Sequence, residues 1–286
     1  MQFPSPTKVY HTKAYPDVDP TQPHLSTKGK NVVITGGGTG IGAATVEAFA
    51  ASGASSISIL GRTEKTLANT KERIEKKYPD TKVSTYVADL VDKSSVDTAL
   101  EAVHSTHGQI NILVASAGSF PSPVPLEGTK DTQAWYEGFE VNVRGNLNLI
   151  LAFLPHRASD AAVIHISTAL VHTPYFANMS AYHTSKLAAA KLFDYLHYEH
   201  PSLFVLNVHP GVIESEMSKR VNQAGPAMDF DDTNLPAWFL VWAVSPEAQF
   251  LNGKFVWAHW DVGELKEMAK EIEGSPKFTL GLLGWP

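Results

Sequence analysis

Cysteine is absent from this chain of 286 residues. Its absence removes disulfides, thiolate nucleophiles and cysteine-bearing metal sites, and it fits a reducing compartment. Basic clusters are absent too. The 23 Lys and Arg are outnumbered by 29 Asp and Glu, a net charge of −6, so nucleic acid is not an expected partner. No apolar run approaches the ~20 residues that span a bilayer, and residues 1–28 lack the basic-then-apolar pattern of a secretory leader. The expectation is a cytoplasmic protein with no membrane partner. Internal repeats and low-complexity tracts are also missing. His165, His172, His183 and His209 have neither acidic partners nor ligand spacing, so they read as packing or solvent-exposed residues and no metal site is expected.

What is present is an alternation. Short apolar runs at 32–34, 57–60, 83–87, 112–114, 162–166, 204–208 and 254–257 read as buried parallel strands. Between them, 42–51, 64–78, 93–106, 132–154 and 181–199 read as helices, with another at 264–271. This pattern predicts an α/β fold, a Rossmann-type doubly wound parallel sheet of about seven strands with helices on both faces. Pro4, Pro6, Pro16, Pro20 and Pro23 make 1–28 an extended arm outside the core, packed on the surface or mobile. Residues 29–286 form a single domain. The alternation breaks over 213–252, which carries Pro226, Pro236, Pro246 and the acidic Asp229, Asp231 and Asp232; it reads as a lid-like insertion at the sheet's carboxyl edge. Trp238, Phe239 and Trp242 within it fit a substrate pocket and a core-facing helix equally well. The tail over 276–286 is apolar and is expected to dock, on its own subunit or a neighbour.

Two segments carry chemistry. Thr35-Gly36-Gly37-Gly38-Thr39-Gly40-Ile41-Gly42 follows the first strand and opens a helix. Glycines there let the backbone approach a pyrophosphate, and the helix end offers free N–H groups to its charge. Past the second strand, where a carboxylate would bind a ribose hydroxyl, stand Gly61 and Arg62. A guanidinium suits a 2′-phosphate, so NADP(H) is favoured over NAD(H). Downstream, Tyr182 and Lys186 are four residues apart and share a helix face. A phenol titrates near 10, and a neighbouring ammonium favours its ionised form, so the pair can exchange a proton with a carbonyl or an alcohol.

With these residues the chain resembles the short-chain dehydrogenase/reductase family over most of 30–262, and more loosely a fungal secondary-metabolism subset with a Trp-Asp-Val stretch, here Trp260-Asp261-Val262. The resemblance implies that Asn142, Tyr182 and Lys186 are catalytic, and that Lys186 lowers the tyrosine pKa and holds the nicotinamide ribose. Thr168 takes the position of the family's catalytic serine, 14 residues before Tyr182; Ser167 beside it is the other candidate. The implied cofactor contacts are Gly36, Gly38, Thr39, Gly40 and Ile41 in the phosphate loop, Arg62, Asp89 and Leu90 toward the adenosine, Ala117 and Gly118 in the turn after the fourth strand, Tyr182 and Lys186, and Pro210, Gly211, Ile213 and Ser215. Ala115-Ser116-Ala117-Gly118 stands where the family has Asn, then Asn or Ala, then Ala-Gly, so the Asn that usually steadies the central sheet is lost; serine does part of its work, and a modest stability effect is expected. A homo-oligomer, dimer or tetramer, is implied too. The expected activity is NADPH-dependent reduction of a ketone on a small, aromatic or polycyclic metabolite. The rivals are non-redox or bifunctional chemistry on the same fold (dehydration, isomerisation or cyclisation) and a dinucleotide sensor without catalysis.

Overall fold

The computed structural model describes residues 4–173, 175–215, 218 and 229–282. Seven strands, β1 (Asn31–Thr35), β2 (Ser56–Gly61), β3 (Lys82–Val87), β4 (Ile110–Ala115), β5 (Arg157–Ile166), β6 (Phe204–His209) and β7 (Lys254–Trp257), form one parallel sheet in the order β3-β2-β1-β4-β5-β6-β7. Side chains alternate across a strand, so each central strand feeds two cores. Val32 and Ile34, with Ile112 and Val114, face one; Val33, with Leu113 and Ala115, faces the other.

Helices α1 (Gly40–Ala51) and α2 (Glu64–Lys77) cover the first face, with α7 (Asn234–Ala243) lying against α1. The second face carries α3 (Lys93–His107), α5 (Asn146–Phe153) and α6 (Ser180–Glu199). Two short helices, α8 (Val262–Glu267) and α9 (Ala269–Ile272), follow β7 in place of the single helix expected there. The strand order reverses direction between β1 and β4, which opens a crevice at the carboxyl ends of those strands.

Three departures from the sequence reading bear on the site. The helix expected over 132–154 is α4 (Thr132–Phe139), a π turn (Glu140–Gly145) and α5. Second, the insertion is only partly outside the core. Phe239 and Trp242 on α7 are fully buried, which decides between pocket and core in favour of core, while Trp238 packs half-buried at its margin. Part of the remaining insertion, 216–217 and 219–228, lies outside the described residues. Third, the N-terminal arm contributes to the core. Val18 and Leu25 are fully buried, and the Tyr15 hydroxyl takes the Val262 amide at 3.0 Å.

The apolar tail docks on its own chain. Phe278 stacks at 4.9 Å on Trp260, and its carbonyl accepts the amide of Phe255 in the outer strand β7 at 2.7 Å. Leu280 packs against the same core, Leu282 is exposed, and 283–286 fall outside the described residues. Among the described residues no helix is long and apolar enough to cross a membrane.

Candidate active site

A cleft of about 620 Å³ runs along the carboxyl ends of the strands. Its floor begins at the glycine turn after β1. Gly36 adopts φ +71°, a left-handed conformation that disfavours other residues. A Cβ on Gly42 would run into the Gly36 carbonyl, so the turn closes only with glycine there. Thr35 ties this turn to the next: its Oγ1 accepts the amides of Ser116 and Ala117, both at 3.0 Å. The backbone after β4 is thus held by Thr35.

All the sequence-nominated cofactor residues line this one cleft: Gly36, Gly38, Thr39, Gly40 and Ile41, then Arg62, Asp89 and Leu90, then Ala117 and Gly118, and finally Pro210, Gly211, Ile213 and Ser215. Arg62 is exposed on the rim and pairs with no carboxylate among the described residues. Asp89 commits Oδ1 to the Val91 amide at 3.0 Å. Leu90 is buried, and its carbonyl takes the Asn148 side-chain amide at 2.8 Å, which fixes that edge of the wall.

The proton-handling residues meet at the other end. Ser167 and Thr168 both border the cleft, but their hydroxyls differ. Ser167 Oγ is buried without a partner, whereas Thr168 Oγ1 accepts the Leu170 amide at 3.4 Å and its hydroxyl acts to lower the Tyr182 pKa. Phe120 lies edge-on to the Tyr182 ring at 4.8 Å. Lys186 is buried behind them and donates from Nζ to the Ile166 carbonyl at 2.7 Å. Asn142, on the π turn, does not line the cleft. Its Oδ1 accepts the Ser119 amide at 2.8 Å, and its Nδ2 donates to the Ser119 carbonyl at 2.9 Å and to Ser185 Oγ at 3.0 Å. Asn142 therefore staples the turn after β4 to α6. Gly118 leaves room for this: a Cβ there would sit 3.2 Å from Asn142 Oδ1 and 3.6 Å from Lys186 Nζ.

Burial, rather than the Lys186 charge, sets the direction of the Tyr182 shift, which is upward. It pushes the phenol up to about 12, opposed only by the Thr168 side chain. Burial also pushes the Lys186 ammonium down to about 8. His165, against α6, is held well below the usual range by burial and then by the Lys186 charge; its Nδ1 meets Asn207 Oδ1 at 2.8 Å and its ring stacks on Phe193, so it is a packing residue. His172 accepts the Trp257 indole N–H at 2.9 Å and His183 is half-buried on α6. His209 is buried and packs edge-on to Trp257 with centroids 4.7 Å apart, while also bordering the cleft.

Ser119, Phe120 and Ser185 escaped the sequence reading. Ser185 had a signal, because it lies within the Tyr182–Lys186 turn; Phe120 had none. Near Tyr182 the cleft wall is apolar, with Val141, Leu170, Phe176, Met179 and Ile213. Among the described residues no cluster of His, Asp and Glu could hold a metal ion.

A glycine turn thus opens a helix at the sheet's switch point, and a Tyr/Lys pair on α6 lines the same cleft. The short chain dehydrogenase family profile matches residues 30–225. This chain belongs to the short-chain dehydrogenase family. It is 34% identical over 288 residues to a short chain dehydrogenase/reductase of Claviceps purpurea, covering 98% of this chain and 95% of that one. A second from Aspergillus aculeatus is 32% identical over 288 residues, covering 98% of each. Among solved structures, a short chain dehydrogenase from Pseudomonas syringae superposes with a TM-score of 0.76 at 25% identity, over 83% of this chain and 97% of that one. The fold is shared by a Burkholderia cenocepacia family member in complex with NADP, at a TM-score of 0.73 and 23% identity, over 83% of this chain and 99% of that one. The short-chain dehydrogenases are oxidoreductases that use a nicotinamide dinucleotide, and the glycine turn fits that group because Gly36, Gly38 and Gly40 put no side chain over the backbone there.

Proposed function

We propose that this short-chain dehydrogenase is an NADP(H)-dependent reductase of a ketone on a small, apolar, ring-bearing metabolite. The carrying observation is that Thr168 and Tyr182 come together on one cleft wall, with the Lys186 ammonium buried behind them. Gly36 to Ile41 would hold the pyrophosphate, Arg62 the 2′-phosphate, and Pro210 to Ile213 the nicotinamide end. The dinucleotide, when bound, supplies a hydride to the carbonyl carbon. Tyr182 donates its proton to the carbonyl oxygen, and Thr168 hydrogen-bonds that oxygen and orients it. A phenol raised to about 12 is fully protonated at neutral pH, so it enters the reaction as the acid. Lys186, below about pH 8, holds a positive charge that favours the tyrosinate left behind. Asn142 acts by clamping, since every polar atom of its side chain is engaged with Ser119 and Ser185. The apolar wall of Val141, Leu170, Phe176 and Met179 supports a ring-bearing substrate over a polar one.

The test is isotope transfer. With 4-deuterated NADPH and a panel of aryl and polycyclic ketones, the reading expects deuterium on the carbinol carbon of the product. Product formed without deuterium from either face of the nicotinamide would instead mean non-redox chemistry on the same scaffold.

A further inference from the structure

The segment over 210–213 forms one wall of the cleft, and it does not hold its own shape. Gly211 sits at φ +92° with the Asp231 carboxylate pressed against it; a Cβ there would lie 2.5 Å from Asp231 Oδ2 and 3.0 Å from His259 Nε2. Asp231 grips the next residue twice. The Val212 amide donates to Asp231 Oδ2 at 2.8 Å, and the Asp231 amide donates to the Val212 carbonyl at 2.8 Å. The same Oδ2 meets His259 Nε2 at 3.0 Å. One carboxylate oxygen thus takes two donors from segments that come together only in the fold.

The clamp is backed by the N-terminal arm. The Tyr10 ring stacks on His259 with centroids 4.6 Å apart and planes 13° from parallel. Burial and the negative Asp231 both push the Tyr10 phenol up. The His11 amide donates to the His259 carbonyl at 2.8 Å, and the Asp232 amide to the Thr12 carbonyl at 2.9 Å. The His11 ring meets Asp261 Oδ2 at 2.9 Å. An unbroken series of contacts runs from the arm through His259 and Asp231 to the Gly211–Val212 backbone.

We propose that Asp231 and Tyr10 are positioning residues for dinucleotide binding, with the arm setting the wall at 210–213 through His259. The proposal rests on the cofactor reading above. A purely structural arm would change stability and leave the affinity of the folded protein alone; a positioning arm changes affinity in protein that is still folded.

The experiment is equilibrium titration of the full chain with NADPH, followed by nucleotide fluorescence, with thermal melts on the same samples. Asp231→Ala removes the carboxylate's bonds to the Val212 amide and to His259, keeps the backbone bond to the Val212 carbonyl, and weakens NADPH binding by about tenfold or more, the scale of a charge-assisted hydrogen bond. Tyr10→Ala removes the backing ring and weakens binding roughly threefold, the scale of one aromatic contact. Tyr10→Phe keeps the ring and restores wild-type affinity. Unchanged affinity in Tyr10→Ala and Asp231→Ala, with only the melting temperature lowered, overturns the proposal. If Asp231→Ala does not fold, the Tyr10 pair decides alone. A wild-type chain that binds no nicotinamide dinucleotide overturns the cofactor reading, and this proposal with it.

Discussion

At its glycine end the cleft is made by one stretch of chain: Gly36 to Ile41 turn between β1 and α1, with the Gly36 carbonyl against Gly42 and with Ala117, Ile59 and Thr66 crowding Gly36, Gly37 and Gly38. The opposite end is assembled from Thr168 after β5, Tyr182 and Lys186 on α6, and the segment after β6 clamped by Asp231, His259 and the distant arm. One end is a local motif, and the other is a meeting of remote segments. A local motif fails by sterics at its own glycines. A meeting point fails when any contributor moves, and its side chains are shifted in pKa because so many elements close over them.

The sharpest way to separate the two ends is Tyr182→Phe. It removes the acid and leaves the glycine end intact, so kcat falls about 10²–10⁴-fold while NADPH affinity stays near wild type. Rapid kinetics with a competent ketone, beside nucleotide titration, checks both halves.

Lys186 tests the closure over the remote end. Its ordinary value of 10.5 drops to about 8 in the fold. Between those values the unfolded chain holds a proton that the folded chain has released, so stability rises with pH across that window. Below pH 8 both states are protonated and the cost of burying the charge is fully present. That cost is roughly 3 kcal/mol. The difference in unfolding free energy between wild type and Lys186→Met, measured from pH 7 to 10.5, therefore favours the variant at pH 7 and shrinks as pH rises. In wild type, reductase activity declines above about pH 8 as the charge is lost.

Gly42→Ala attacks the local end. Its Cβ meets backbone rather than a yielding side chain, so a destabilisation of about 1–3 kcal/mol is expected, with NADPH affinity reduced in the folded fraction. Denaturant melts and titration together check it. The smallest effect belongs to Arg62→Ala, exposed on the rim: NADPH binding weakens about tenfold, near 1.4 kcal/mol, and NADH binding is unaffected. Equal loss for both nucleotides would remove Arg62 from the 2′-phosphate.

The same division explains what the sequence made readable. The glycine turn and the Tyr182–Lys186 pair are spacing patterns within a few residues, and spacing survives translation into structure. The parallel sheet with helices on both faces followed from alternation alone. The π turn carrying Asn142 was hidden, because 132–154 keeps helical spacing throughout and the widened turn is set by the contacts of Asn142 with Ser119 and Ser185. Helix α7 was hidden for a different reason. It is apolar on all sides, with Leu235, Phe239 and Trp242 buried, and such a segment shows no amphipathic stripe by which to orient it. Asp231 was visible only as part of an acidic patch; nothing local says that one of three aspartates turns inward to grip Val212.

The docked tail has a consequence outside catalysis. Strand β7 is an outer strand of the sheet, and an outer strand with free amides is a template on which another chain can add. Here the Phe255 amide is already taken by the Phe278 carbonyl, and the Lys254 ammonium reaches the Ser275 carbonyl. A chain truncated before Ser275 would expose that edge together with the Trp260 ring that Phe278 covers. Its failure would be loss of solubility through strand addition, visible as turbidity on concentration.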